Sequence, residues 1–328
     1  MENQEEEIFN NRIELGELAL AVSKIKNELG KVIIGQQENI DLLITSLLCG
    51  GHVLMEGVPG VAKTLTAKLL AQAIDISFKR IQFTPDLMPS DVLGTSVFNP
   101  KSLEFEYKRG PIFSNIILID EINRSPPKTQ AALFELMEEK QVTIDGQTFP
   151  MQQPFLVLAT QNPIEQEGTY RLPEAQLDRF FMKILVDYPK PDEEIELLKK
   201  FNYQTQIQVT ETVNAILGKE QILSLKETIQ QIIIEDHLLK FITDIVQATR
   251  NHKQIALGGS PRASLALMQA SKALAAISGR DFVIPEDIKT IGLPVLRHRI
   301  ILTADSEMEG ITEDEVLGEL FNTMEIPR

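Results

Sequence analysis

Three short clusters of residues in this sequence carry chemistry. The first is Gly57-Val58-Pro59-Gly60-Val61-Ala62-Lys63-Thr64, which follows the apolar run Val53-Leu54-Met55 and opens a helical pattern. This is the strand–loop–helix setting of a phosphate loop. Glycines at 57 and 60 let the backbone bend so that its N–H groups face phosphate oxygens, and the helix N-terminus adds positive potential. Lys63 then reaches the β- and γ-phosphates of a nucleotide, and Thr64 ligates Mg²⁺. The usual pattern has glycine directly before the lysine. Ala62 stands there instead, and a negative φ would still allow close backbone approach.

The second cluster is Asp120-Glu121, directly after Ile116-Ile117-Leu118-Ile119. The apolar run reads as a buried central strand. Its C-terminal end is where open α/β sheets bind ligands. Asp120 would hold Mg²⁺, directly or through water, and Glu121 would polarise the attacking water as general base. The third cluster is Gln161-Asn162-Pro163, which follows Phe155–Thr160. Asn162 could orient the attacking water or touch the γ-phosphate; capping a turn before Pro163 is its plainer role.

The elements that must position these clusters alternate. Apolar runs at His52–Met55, Arg80–Phe83, Ile116–Ile119, Phe155–Ala159 and Met182–Val186 are separated by helical patterns at 64–74, 127–139 and 173–178. Strands alternating with helices imply crossover connections and a parallel sheet. Two more helices are expected before the phosphate loop, over 12–29 and 36–49, the latter with Ile40, Leu43, Ile44, Leu47 and Leu48 on one face. Two interruptions read as hairpins. Thr95–Pro100 faces Leu103–Tyr107 after a short helical stretch near Asp91–Leu93, and Val142–Ile144 faces Thr148-Phe149 across Asp145-Gly146. After Pro189 and Pro191 the texture becomes helical, which marks a domain boundary.

Composition narrows the class. With 328 residues, about two domains are expected. The net charge of −15 opposes general binding to nucleic acid phosphates, although Lys101 and Lys108 could line a local basic pore. The single cysteine, Cys49, excludes an internal disulfide and a cysteine metal site, and the four histidines lack metal-ligand spacing. The MENQEEE start has no basic and apolar leader pattern, and no apolar run reaches membrane-spanning length, so a cytoplasmic location is expected. No Asn-Lys-x-Asp guanine reader is present, which argues against a GTPase.

GVPGVAKT, IILIDEINRSPPKTQAALFELMEE, LATQNPIEQEGTYRLPEAQLDRF and GGSPRASLAL together closely resemble the MoxR-type AAA+ ATPases, over nearly the whole chain from Val32 onward. Ala62 before the lysine is usual in that family. The resemblance implies a five-stranded parallel sheet of order 5-1-4-3-2 followed by a small all-α lid. On this pattern residues 1–30 are an N-terminal helical segment. Residues 31–190 form the nucleotide-binding α/β domain, with an insertion at 84–113 and a hairpin at 141–151, and residues 191–328 form the lid. It implies ATP and Mg²⁺ as ligands, a hexameric ring, and chaperone-like maturation or activation of partners, often ones with von Willebrand factor A domains, with metal insertion into a partner as a variant. Arg179 matches the finger that acts on ATP of the neighbouring subunit, with Arg124 and Arg171 as rivals; a surface ion pair with Asp178 or Glu174 is its structural alternative. Arg262 matches the second sensor, in the lid, and Gln36 the segment near adenine. A nucleic-acid motor and a nucleotide-gated scaffold without turnover are the competing functions.

Overall fold

The computed structural model describes residues 15–162, 169–202 and 211–327. The acidic start, the opening of the expected 12–29 helix and Pro163 lie outside the described residues. Two compact units divide the chain, one of residues 25–222 and the other of residues 15–24 with 223–327. The helix Pro191–Phe201 therefore belongs with the larger unit, and the cut falls after Ile222 rather than at the Pro189/Pro191 change of texture.

The larger unit is built on five parallel strands: β1 (Val53–Glu56), β2 (Phe78–Gln82), β5 (Ile116–Asp120), β8 (Leu156–Gln161) and β9 (Met182–Leu185). Their order is β2-β5-β8-β1-β9, which is 5-1-4-3-2 when the five are counted along the chain. The central strands are near-continuous apolar runs because helices cover both faces. β5 is buried along its whole length, and β8 everywhere except Gln161. Registers align the polar ends: Glu56 pairs with Gln161, Gln82 with Asp120, and Asp120 follows directly on the Ile119–Ala159 pair. Parallel pairing at fixed register thus delivers polar side chains from separate strands to one edge.

The two interruptions are antiparallel hairpins. β3 (Gly94–Asn99) pairs with β4 (Glu104–Arg109), placing Phe98 opposite Phe105. β6 (Gln141–Ile144) pairs with β7 (Gln147–Pro150). Asp145 and Gly146 both take positive φ, 50° and 76°, as a two-residue type I′ turn requires. The helix 37–49 buries Ile40, Leu43, Ile44, Leu47 and Leu48, the face expected from periodicity.

The core of the larger unit packs around Phe83, Phe134, Phe155 and Phe180. His52 is part of it: Nδ1 accepts the Val157 N–H at 3.0 Å and Nε2 contacts the Met137 carbonyl at 3.1 Å, so the proton sits on Nε2. The smaller unit is predominantly helical, with Asp236–Asn251, Pro261–Ile277, Pro285–Leu296 and Glu313–Thr323 as its main helices. It also carries a short antiparallel pair, β10 (Ile255–Leu257) with β11 (Ile301–Leu302), too brief to leave a period-2 signal in sequence. No helix among the described residues is long and apolar enough to cross a membrane. Phe155, 1% exposed and edge-on to His52, tests the core. Phe155→Ala should lower the stability of the sheet unit by about 3–5 kcal/mol in urea unfolding.

Candidate functional site

The polar edge of the sheet opens into a cavity of about 530 Å³, a size suited to a small-molecule ligand. Pro59 through Thr64 form one wall, and Arg80, Gln82, Asp120, Glu121, Thr160 and Asn162 form the other. The phosphate loop, the carboxylate pair and Asn162, far apart in sequence, are therefore brought together.

The loop owes its shape to a few backbone positions. Gly57 lies so close to β9 that a Cβ there would come within 2.3 Å of the Val186 carbonyl oxygen. Gly60 takes φ +89° with open space around it. Ala62 does not meet the condition of a negative φ for close backbone approach: φ is +59° and ψ 17°, left-handed, immediately before the helix Lys63–Ala73. That conformation costs an L-residue roughly 1–2 kcal/mol. In return it helps turn successive N–H groups to one side, the arrangement that makes an anion-binding concavity. Gln36 supports the loop from outside: its Nε2 donates to the Val61 carbonyl at 3.1 Å.

Lys63 sits at the loop's centre. Its Nζ donates to the Gly57 carbonyl and, at 3.3 Å, to that of Val58. Burial holds its ammonium below the usual lysine range, while Asp120, Glu56 and Glu121 pull it back up. Those three carboxylates each have a cation of their own. Lys183 pairs with Glu56 at 2.9 Å, Arg80 with Asp120, and Arg124 with Glu121 at 3.1 Å. Lys63 is held instead by neutral carbonyl oxygens, so its charge is available to an anion in the cavity.

The carboxylate pair is tightly organised. Asp120 Oδ1 accepts from Thr160 Oγ1 at 3.1 Å, and the same hydroxyl oxygen accepts the Glu121 N–H at 3.0 Å. Glu121 leaves the strand in a left-handed conformation, φ 58° and ψ 52°, and its Oε2 accepts from Gln82 Nε2 at 2.7 Å. The Thr64 hydroxyl and the Asp120 carboxylate line the same cavity. Hard oxygen donors of this kind suit Mg²⁺, so the residues present fit the metal that a phosphate loop implies.

Arg179 lies elsewhere in the same unit. It pairs with Glu138, donates to the Phe134 carbonyl at 3.0 Å, and lines a second cavity of about 290 Å³ with Glu135 and Glu139. Its carboxylate partner is thus Glu138, on the helix 127–139, rather than the sequence neighbours Asp178 or Glu174. Arg171 is exposed. Arg262 belongs to the smaller unit, in the first turn of the helix 261–277, where its N–H bonds Ser260 Oγ at 3.1 Å.

Three residues of the site were not singled out from sequence: Arg80, Gln82 and Thr160. A signal existed for the first two. In Phe78-Lys79-Arg80-Ile81-Gln82 only Ile81 is buried, and strand alternation puts Arg80 and Gln82 together on the face opposite it. Thr160→Val tests the network, because the variant keeps the shape and removes the hydroxyl. We expect a loss of about 1–3 kcal/mol in denaturant unfolding, since the Glu121 N–H and the buried Asp120 carboxylate both lose a partner.

Comparison with known proteins agrees with this geometry. A model of the ATPase family associated with various cellular activities (AAA) matches residues 52–182, and an AAA lid domain model matches 247–320. The chain is 45% identical to the uncharacterized protein YeaC of Bacillus subtilis, covering 93% of this chain and 95% of that protein. It is 43% identical to chaperone MoxR1 of Mycobacterium tuberculosis, covering 92% of this chain and 81% of the relative. A crystal structure of a candidate ATPase from Cytophaga hutchinsonii superposes with a TM-score of 0.89 at 43% identity, covering 96% and 97% of the two chains. With such identity sustained along almost its full length, the chain belongs to the MoxR family of AAA-type ATPases.

Proposed function

We propose that this protein is a Mg²⁺-dependent ATPase whose turnover, in a homo-oligomeric ring, drives chaperone-like remodelling or activation of partner proteins in the cytoplasm. The observation that carries this reading is the convergence of Lys63, Asp120 and Glu121 on one cavity, with each carboxylate paired and the lysine held, among the described residues, by carbonyl oxygens. The chaperone part rests on the name of the relative MoxR1. The net charge of −15 weighs against a nucleic-acid motor.

The residues divide the work as follows. The N–H groups of Gly57 to Thr64, with the start of the helix 63–73, cradle the β- and γ-phosphates. Lys63 neutralises charge on those phosphates as it moves toward the bridging oxygen. Thr64 and Asp120 would hold Mg²⁺, which would supply electrostatic stabilisation of the phosphoryl oxygens. Glu121 takes the proton of the attacking water, whose oxygen bonds to the γ-phosphorus as the bond to ADP breaks. Asn162, buried at the cavity wall, orients that water or the γ-phosphate. Gln36 steadies the loop beside the base.

Two arginines complete the scheme. Arg124 is paired with Glu121 of its own chain and Arg171 lines neither cavity, so Arg179 is the finger offered to the neighbouring copy. The sheet unit would bind the nucleotide, and Arg262 of the helical unit would read its state. A partner with a von Willebrand factor A domain, and metal or cofactor insertion into it, are the more specific forms of the chaperone role.

Glu121→Gln should leave ATP affinity within about two-fold and reduce phosphate release at least about 100-fold, as loss of a general base does. Turnover near wild type would remove Glu121 from that role. Arg179→Ala should bind ATP normally yet hydrolyse it about 10³-fold more slowly. Mixed with Glu121→Gln, it should regain part of the activity at hybrid interfaces. Absence of rescue in mixed assemblies would place the finger on another arginine.

A further inference from the structure

Arg80 stands on β2, the edge strand of the sheet, two residues before the Gln82–Asp120 register pair. Its side chain reaches forward along the strand into the cavity wall. Nε bonds Asp120 Oδ2, and Nη2 bonds Gln82 Oε1 at 3.1 Å. With Thr160 Oγ1 on Oδ1, both oxygens of the Asp120 carboxylate are taken by protein donors. Asp120 is the carboxylate assigned above to Mg²⁺, and this inference rests on that assignment.

We propose that Arg80 is the resident counter-ion of Asp120, that Mg²⁺ must displace it, and that Arg80 thereby sets the metal concentration at which the cavity accepts nucleotide. A guanidinium and a divalent cation on the same carboxylate oxygen repel each other, with solvent screening part of the repulsion on the exposed Arg80 side. One of the two Asp120 partners must then yield. Thr160 is the wrong one to yield, because its hydroxyl also satisfies the Glu121 N–H inside the protein. Arg80 is the partner that can leave: its side chain is 53% exposed, against 11% for Asp120, and a guanidinium re-enters water at little cost.

The arrangement has a physical reason. Glu56, Asp120 and Glu121 place three anions at adjoining strand ends. Without a cation on Asp120, Lys63 would be drawn toward that carboxylate and away from the loop. Arg80 keeps the edge neutral and the lysine in place until a stronger cation arrives. This makes Arg80 a positioning residue that acts through Asp120 and competes with the metal for it.

The test is equilibrium binding of a fluorescent, non-hydrolysable ATP analogue to the full chain, with Mg²⁺ titrated in from a chelated start. The readout is the Mg²⁺ concentration at half-maximal binding. Arg80→Ala should lower that midpoint about five-fold, the size of losing one screened charge contact. Arg80→Lys, which keeps a cation, should return it to within about two-fold of wild type. A midpoint unchanged in Arg80→Ala overturns the competition. A midpoint raised in Arg80→Ala also overturns it, because it means the arginine only orients Asp120. Should Arg80→Ala fail to fold, Arg80→Gln offers the same neutral comparison at similar reach. If the wild-type chain itself shows no Mg²⁺-dependent binding, the nucleotide-site reading fails and takes this inference with it; wild-type binding with unmoved variants sinks the inference alone.

Discussion

The site depends on one electrostatic constraint: three carboxylates must sit side by side at the end of a buried parallel sheet without repelling one another apart. Parallel pairing forces the proximity, because strands at fixed register end at one level and deliver Glu56, Asp120 and Glu121 to one edge. Charge burial is expensive unless each charge is paired. The fold meets the requirement with one cation for each anion, Lys183, Arg80 and Arg124. Because none of the three needs Lys63, the lysine can remain over the phosphate loop. The readiness of the loop for an anion is therefore a consequence of how the acidic edge is neutralised.

Two of the six non-glycine residues with positive φ among the described residues stand at the same place. Ala62 and Glu121 both occupy left-handed conformations that L-residues avoid, and each conformation costs on the order of 1–3 kcal/mol. Each lies where a secondary element must turn sharply: Ala62 where the loop enters its helix, Glu121 where β5 ends. The surrounding structure holds them there. Behind Glu121 lies β5, buried from end to end, and behind Ala62 the helix 63–73 buries Thr66, Ala67, Leu69, Leu70 and Ala71. Burial of roughly 25 cal/mol per Å² over such elements outweighs two strained residues. The strain fixes the direction of the Glu121 side chain, which a relaxed strand continuation would point across the pleat.

Much of this was legible from sequence, and the parts that were not have definite causes. The strands, the helices 64–74 and 127–139, and both hairpins follow from apolar periodicity and turn residues, which are local signals. Asp145-Gly146 could hardly be read otherwise, and the structure gives it the positive φ angles that such a pair favours. The phosphate loop and the acidic pair were recognisable because each is a contiguous run set directly after an apolar strand. Arg80 was not, because its importance lies in a partner forty residues away, across the sheet. Thr160 was read only as a strand end for the same reason. The φ of Ala62 was not legible, because a residue with a Cβ ordinarily avoids the left-handed region and the loop imposes it here. The short pair β10–β11 fell below the length at which alternation can be seen.

The distribution of arginines bears on assembly. Phosphoryl transfer loads negative charge onto the γ-phosphate oxygens, and a single lysine with a metal leaves part of it uncompensated. Within one chain and before a metal arrives, the arginines beside the cavity are paired: Arg80 with Asp120 and Arg124 with Glu121. Moving Arg124 toward the nucleotide would uncover Glu121, so the gain would be offset by new repulsion, while Arg80, once the metal displaces it, returns to water. Arg179 is differently placed. Its partner Glu138 is 38% exposed, and an ion pair open to water exchanges at a cost of about 1 kcal/mol or less. An arginine that can be released cheaply, on a surface away from its own chain's phosphate loop, suits a site on a second copy better than one on its own. On the proposed scheme hydrolysis would belong to the interface between copies, and a lone chain would bind nucleotide well while turning it over poorly.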